Sequence, residues 1–182
     1  MKPKIIMIHG NGGGTAYEGW FPAVQAELER AGHEVVARTF PDNVKARAKY
    51  WLPYITELGA DENTVIIGHS SGAVAAMRYA ETRALLGSVL VGACYTDLGD
   101  PSERVSGYYD TPWDWDAIKS HQKFILQYAS PDDPYIPIAE ARYIQKHLST
   151  KYFELPKRGH FQDKEFPELP KQLLKAINSG II

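Results

Sequence analysis

Thr64-Val65-Ile66-Ile67-Gly68-His69-Ser70-Ser71-Gly72-Ala73-Val74-Ala75-Ala76-Met77 joins three kinds of local structure with almost nothing between them. Val65-Ile66-Ile67 is a β-branched apolar run, the composition of a buried strand, here predicted over Thr64–Gly68. Ala73 to Met77 are good helix formers with small side chains. Between them only a sharp turn fits, with Ser70 at its apex and glycines at 68 and 72, where a Cβ would clash in so tight a bend. A strand, a tight turn and a helix packed back on the strand make the opening of a βα unit, whose strand pairs in parallel with its neighbours.

Working outward, further short β-branched runs recur at Lys4–His9, Glu34–Thr39, Ser88–Gly92, Phe124–Ala129 and Lys151–Leu155. Helical patterns fall between them: Trp20–Ala31, ending before Gly32; Val44–Leu58, which Pro53 is expected to interrupt; and Ile138–His147. Phe166, Leu169, Leu173, Leu174 and Ile177 share one face of a last helix. This alternation predicts an α/β fold, a six-stranded, mostly parallel sheet with helices on both faces, in one domain over 1–182. A chain of 182 residues has room for one such core.

Composition narrows the function classes. At 44% hydrophobic and 23% charged residues the chain is neither disordered nor fibrous. A net charge of −2 with scattered Lys and Arg argues against nucleic acid or an anionic membrane surface as partner. The apolar run Ile5-Ile6-Met7-Ile8 is too short for a signal segment or a membrane span, so a cytoplasmic protein is expected. Cys94 is the lone cysteine, which excludes an internal disulfide and a cysteine-based zinc cluster.

Gly68-His69-Ser70-Ser71-Gly72 is a G-x-S-x-G pattern. At ordinary glycine usage it arises by chance in roughly one chain of this length in twenty, so its context decides. After a strand and before a helix it is the nucleophile elbow of α/β-hydrolases, which carry their partners in the order serine, acid, histidine. A serine hydroxyl is a weak nucleophile and needs a base in contact, itself oriented by a third group. Asp132 and Asp133 follow the fifth strand, and His160 follows the sixth. Both places are carboxyl ends of strands, where open α/β sheets hold their sites. His33, His121 and His147 have no such setting.

Acyl transfer also needs donors for the developing oxyanion. The elbow offers the Ser71 N–H, and the loop His9-Gly10-Asn11-Gly12-Gly13-Gly14-Thr15 offers the Asn11 N–H. A nucleotide-binding reading of that loop, with Asp42 as a ribose-binding acid, fails because Thr15 stands where a third glycine is required. Residues 97–117 show no period and concentrate Tyr108, Tyr109, Trp113 and Trp115. A long loop with at most a turn of helix is expected there. With His69, these aromatics are candidates for the substrate pocket; the competing expectation is that they pack the loop onto the core.

The segments Gly10-Asn11-Gly12-Gly13-Gly14, Trp51-Leu52-Pro53, Ile66 to Ala73, Ala75 to Thr82, Asp97-Leu98-Gly99-Asp100, Ser106-Gly107-Tyr108, Pro112-Trp113 and Gly159-His160-Phe161-Gln162 resemble the retinoblastoma-binding protein 9 family of serine hydrolases. The resemblance implies a minimal α/β-hydrolase without a separate cap domain. It assigns the acid to Asp133, four residues before Pro137, and so implies a triad of Ser70, Asp133 and His160. The family's L-x-C-x-E element, which binds the retinoblastoma protein, corresponds to Leu58-Gly59-Ala60-Asp61-Glu62; Ala60 replaces the cysteine, so that partner does not carry over. The expected activity is cleavage of a small-molecule ester or amide without metal or organic cofactor. The alternatives are a non-catalytic interaction module that keeps the fold, and an acyltransferase or lyase on the same scaffold.

Overall fold

Successive side chains of a strand point to opposite faces, and in this chain both sets are apolar, so the sheet must be covered twice. The computed structural model describes residues 2–179; Met1 and residues 180–182 of the expected 1–182 domain lie outside the described residues. Strands β1 (Lys4–Ile8), β2 (Val35–Ala37), β3 (Thr64–His69), β4 (Gly87–Val91), β5 (Phe124–Ala129) and β6 (Lys151–Glu154) form one sheet in the order β2-β1-β3-β4-β5-β6. Every neighbouring pair is parallel, where the sequence suggested a mostly parallel sheet. The helices are α1 (Phe21–Arg30), α2 (Ala48–Glu57), α3 (Ser71–Ala80), α4 (Pro101–Arg104), α5 (Trp115–Ser120), α6 (Ile138–Leu148) and α7 (Glu168–Asn178).

Ile5, Met7, Val65, Ile67, Val89 and Val91 face one way, into a cluster closed by Val24 and Leu28 of α1 and Leu169 and Leu173 of α7. Ile6, Ile8, Ile66 and Leu90 face the other way, against Trp51 and Ile55 of α2, the length of α3, and Ile144 and Leu148 of α6. All ten residues of α3 are buried. Their small side chains let this helix lie close on the middle of the sheet, directly behind the turn at Ser70.

Two local expectations change. The helix foreseen from Val44 begins only at Ala48, because Asp42 and Ala46 adopt positive φ (52° and 49°) in a turn that Asp42 closes on Arg47. Pro53 does not interrupt it: Pro53 sits inside α2 on the exposed side, and the residue whose carbonyl loses its donor, Lys49, is itself exposed. Between β4 and β5 the expected long loop is shortened by two small helices, α4 and α5, each N-capped by an aspartate: Asp100 accepts from Ser102 N–H, and Asp114 from Ala117 N–H. No described helix is long and apolar enough to cross a membrane.

Candidate active site

At the carboxyl end of β3 the chain reverses into α3 within one residue. Ser70 takes φ 55° and ψ −121°, a conformation that costs a non-glycine residue about 1–3 kcal/mol. The surroundings hold it there: Ser70 N–H donates to Val91 O at 2.8 Å, and Ser70 O accepts from Ala73 N–H at 2.9 Å. Glycine is obligatory on both sides. A Cβ at position 68 would lie 2.3 Å from Gly72 O, and one at position 72 would lie 2.2 Å from Ile8 O.

Asp133 and His160 approach from the ends of β5 and β6. Asp133 Oδ1 accepts the backbone N–H groups of Tyr135 (2.9 Å) and Ile136 (3.0 Å), which leaves Oδ2 to accept from His160 Nδ1–H at 2.7 Å. Both side chains are withdrawn from solvent, 3% exposed for Asp133 and 8% for His160. Burial alone would raise the Asp133 pKa, but the hydrogen bonds from His160, Ile136 and Tyr135 outweigh it and hold the carboxyl below its ordinary value. Because Nδ1 carries the proton given to Asp133, Nε2 is the ring nitrogen free to accept one. The histidine is also anchored by its backbone: His69 Nε2–H donates to His160 O at 2.8 Å, and Trp20 Nε1–H donates to Phe161 O at 2.9 Å. Gly92 (φ 58°) leaves room for the ring, since a Cβ there would stand 3.3 Å from His160 Cε1.

Asp132, the other candidate acid, turns away from His160. Its Oδ1 accepts from Ser130 Oγ–H (2.6 Å) and Lys157 N–H (2.8 Å), so it ties down the loop that delivers the histidine.

Ser70 and His160 open on the same cleft of about 1020 Å³, the size range of small-molecule sites, with Trp20, Leu98, Tyr135 and Phe161 among its walls. The Ser70 hydroxyl borders this cleft and, among the described residues, makes no hydrogen bond; in unliganded sites the bond between a nucleophile and its base is often long and closes only around substrate. Asn11 and Ser71 border the same space, and among the described residues neither backbone N–H has an acceptor. The loop bearing Asn11 is held by His9. Phe40 N–H donates to His9 Nε2 (2.8 Å), so Nδ1 carries the proton and donates to Gly10 O (2.7 Å). Burial keeps His9 neutral by lowering its pKa. His69 lines the cleft, and burial, reinforced by His160, lowers its pKa to about 4.

The four aromatics do not line this cleft, which corrects the pocket expectation. Tyr108 is 1% exposed in the core, and the Tyr109 hydroxyl lies 3.2 Å from Cys94 Sγ, behind the cleft wall. Trp113 stacks on Trp115 and sends its Nε1–H to Tyr95 O. The reason is Arg78 of α3, which the sequence reading passed over. Its buried guanidinium donates to the carbonyls of Tyr108 (2.7 Å), Thr111 (2.7 Å) and Pro112 (3.2 Å), pairs with Glu81 at 2.7 Å and lies 3.6 Å over the Trp113 ring. The segment is thereby fastened to the helix behind the elbow.

Two further residues at the site were missed. His9 had one signal, its place at the end of a strand directly before the glycine-rich loop. Glu103 had none; it reaches Asn11 from α4, with Nδ2 2.5 Å from Oε1. Ala60 lies on the α2–β3 connection, at the amino end of β3, whereas the cleft lies at the carboxyl ends of the strands. No trio of His, Cys, Asp or Glu among the described residues is arranged to hold a metal ion.

Comparison with known proteins agrees with this architecture. A family model described as serine hydrolase matches residues 5–175. The serine hydrolase RBBP9 of Rattus norvegicus is 47% identical over 181 residues, covering 98% of this chain and 97% of the relative. Among solved structures, the ydeN gene product of Bacillus subtilis superimposes with a TM-score of 0.88 at 22% identity, covering 96% of this chain and 98% of that one. Est1E of Butyrivibrio proteoclasticus, solved with ferulic acid bound, gives 0.75 at 17% identity over 96% of this chain and 89% of that one. At such identities the two structures speak for the fold.

Proposed function

The chain belongs to the RBBP9 family of serine hydrolases, and on that premise we propose that it cleaves a small ester or amide through an acyl-enzyme on Ser70. The observation that carries the reading is the 2.7 Å bond from His160 Nδ1–H to Asp133 Oδ2, in the same cleft as a serine at φ 55°. That bond leaves His160 Nε2 as the base that takes the Ser70 proton while Oγ attacks the substrate carbonyl. Asp133, held ionised, keeps the imidazole in this tautomer and stabilises the imidazolium. The N–H groups of Asn11 and Ser71, free of acceptors of their own, receive the oxyanion; one such donor is typically worth about 2.7–4 kcal/mol. His160 then protonates the leaving group, and water repeats the sequence to release the acid. No step needs a metal or organic cofactor.

The substrate's acyl and leaving groups would lie along the cleft, between a wall of Leu98 and Val105 and one of Tyr135 and Ile136. Intact-mass spectrometry after treatment with a fluorophosphonate probe tests the reading. One adduct on the parent protein, lost in Ser70→Ala, is expected. A folded parent that takes no adduct would overturn it and favour a binding module on the hydrolase scaffold.

A further inference from the structure

The candidate oxyanion donor poses a mechanical problem. If the Asn11 N–H is to meet a substrate oxygen, it cannot also be used to hold Asn11 in place. The neighbouring positions of the loop are well tied: Gly10 O to His9 (2.7 Å), Gly12 N–H to Val44 O (3.0 Å), Gly13 N–H to Asn43 O (3.1 Å), and Gly14 O to Asn43 Nδ2 (3.0 Å). Among the described residues, the backbone of residue 11 makes one hydrogen bond, a long one from Gly14 N–H to its carbonyl at 3.3 Å. Its strong contact is made by its side chain, whose Nδ2–H donates to Glu103 Oε1 at 2.5 Å.

Glu103 is suited to hold something. It sits on α4, a short helix stabilised by the Asp100 cap and by Arg104 donating to Asp97 Oδ2 at 2.8 Å. The wall it belongs to is joined to α2 through Ala48 N–H donating to Ser106 O at 2.8 Å. Its carboxyl is half-buried beside the cleft; burial raises its pKa, opposed by the hydrogen bond from Asn11 and reinforced by the nearby charge of Asp100.

We propose that Glu103 is a positioning residue for the reaction: its carboxyl clasps the Asn11 side chain, so that the Asn11 backbone N–H stays aimed at the oxyanion while remaining free. The α4 wall of the cleft and the oxyanion loop therefore act as one body, joined across 92 residues of sequence. This rests on the Ser70 reading above for its catalytic consequence, and on the clasp alone for its mechanical one.

The test compares Glu103→Ala, Glu103→Gln, Asn11→Ala and the double alanine variant in two measurements. The first is fluorophosphonate inactivation of Ser70, resolved into kinact and KI, because the phosphoryl oxygen takes the oxyanion's place. Complete loss of an oxyanion donor costs about 100- to 1000-fold, so a donor loosened rather than removed should lower kinact about tenfold. Glu103→Ala and Asn11→Ala are each expected to show that fall with KI changed less than about twofold. The double variant should be no worse than either single one, because each removes the same contact. Glu103→Gln, whose amide oxygen still accepts from Asn11, should recover most of the loss. Multiplicative losses in the double variant, or a rise in KI with kinact kept, would overturn the proposal; the second pattern would make Glu103 a substrate contact.

The second measurement is deuterium uptake of a peptide covering residues 9–14. It should rise in both single alanine variants and stay near the parent rate in Glu103→Gln. Unchanged uptake would overturn the clasp. A parent that takes no probe would refute the Ser70 reading instead, while uptake still decides the clasp.

Discussion

Gly72→Ala should be far more damaging than its single added methyl suggests. At that position the methyl would stand 2.2 Å from Ile8 O and 2.7 Å from His9 O, whereas real contacts of this kind keep at least 3.0 Å. Relief requires α3 and the end of β1 to part by about 0.8 Å, the difference between 3.0 and 2.2 Å. Both obstacles are backbone carbonyls, of the last residue of β1 and the one after it, so no side-chain rotation helps. Overpacking of a close-packed core typically costs about 1–3 kcal/mol, and a backbone obstacle belongs at the upper end, about 3 kcal/mol. With a urea m-value of about 2 kcal/mol/M, the unfolding midpoint should fall by roughly 1.5 M. The contrast is Gly12→Ala. There nothing lies within 4 Å and only the positive φ of 71° is penalised, about 1–2 kcal/mol and therefore at most about 1 M. Urea unfolding followed by tryptophan fluorescence reads both. A Gly72→Ala midpoint within about 0.3 M of the parent would refute the argument, since helix and strand would then have slack that the distances deny.

Other outcomes follow from the same structure. Asp133→Asn keeps its oxygen on the Tyr135 and Ile136 N–H groups and turns an amide N–H toward His160 Nδ1, which imposes the wrong tautomer, and should lower kcat by about 10³–10⁴ with the fold intact; a fall of less than tenfold against an active ester would remove Asp133 from its proposed role. His69 stays neutral in the folded protein down to about 4, while the unfolded chain takes up the proton near the ordinary 6.5. The unfolded state thus binds more protons in that window, and stability present above pH 6.5 drains by about 2–3 kcal/mol on approach to pH 4. His69→Gln should show a correspondingly smaller loss between pH 7 and 4.5 in urea titrations, and an equal loss would count against the buried neutral imidazole. Arg78→Ala strips the donors from three carbonyls and leaves Glu81 without its partner, so about 3–5 kcal/mol should go; less than 1 kcal/mol would show that the aromatic segment holds without it. Trp113→Ala should cost stability and leave acyl chain-length preference unchanged, and a changed preference would return Trp113 to the pocket.

Much of this protein is readable locally. The run Val65-Ile66-Ile67 followed by Gly68-His69-Ser70-Ser71-Gly72 reads as strand, turn and helix, and the clash that demands glycine at 68 lies within the turn itself, with Gly72 O and Ala73 N. Continuous apolar runs such as Ile5-Ile6-Met7-Ile8 and Val65-Ile66-Ile67 mark strands buried on both faces, and chain order after the elbow points to the ends of β5 and β6 for the partner residues. Glycine at 72 follows from the motif in the sequence, but the obstacles that demand it, the carbonyls of Ile8 and His9, come from the end of β1.

What only the tertiary structure decided concerns groups whose neighbours are remote in the chain. Asp132 and Asp133 are alike in sequence; they differ because the turn after β5 aims one carboxylate at His160 and the other at the N–H groups that precede it. The aromatic stretch 108–115 is equally suited to line a pocket or pack a core, and a single guanidinium from α3 settles the matter by collecting its carbonyls. Glu103 and Asn11 meet across 92 residues, and nothing near either one foretells it. Periodicity and turn chemistry are short-range constraints that a linear chain exposes. The partner of a hydrogen bond is chosen by the packing of whole elements, and that exists only once the chain has folded.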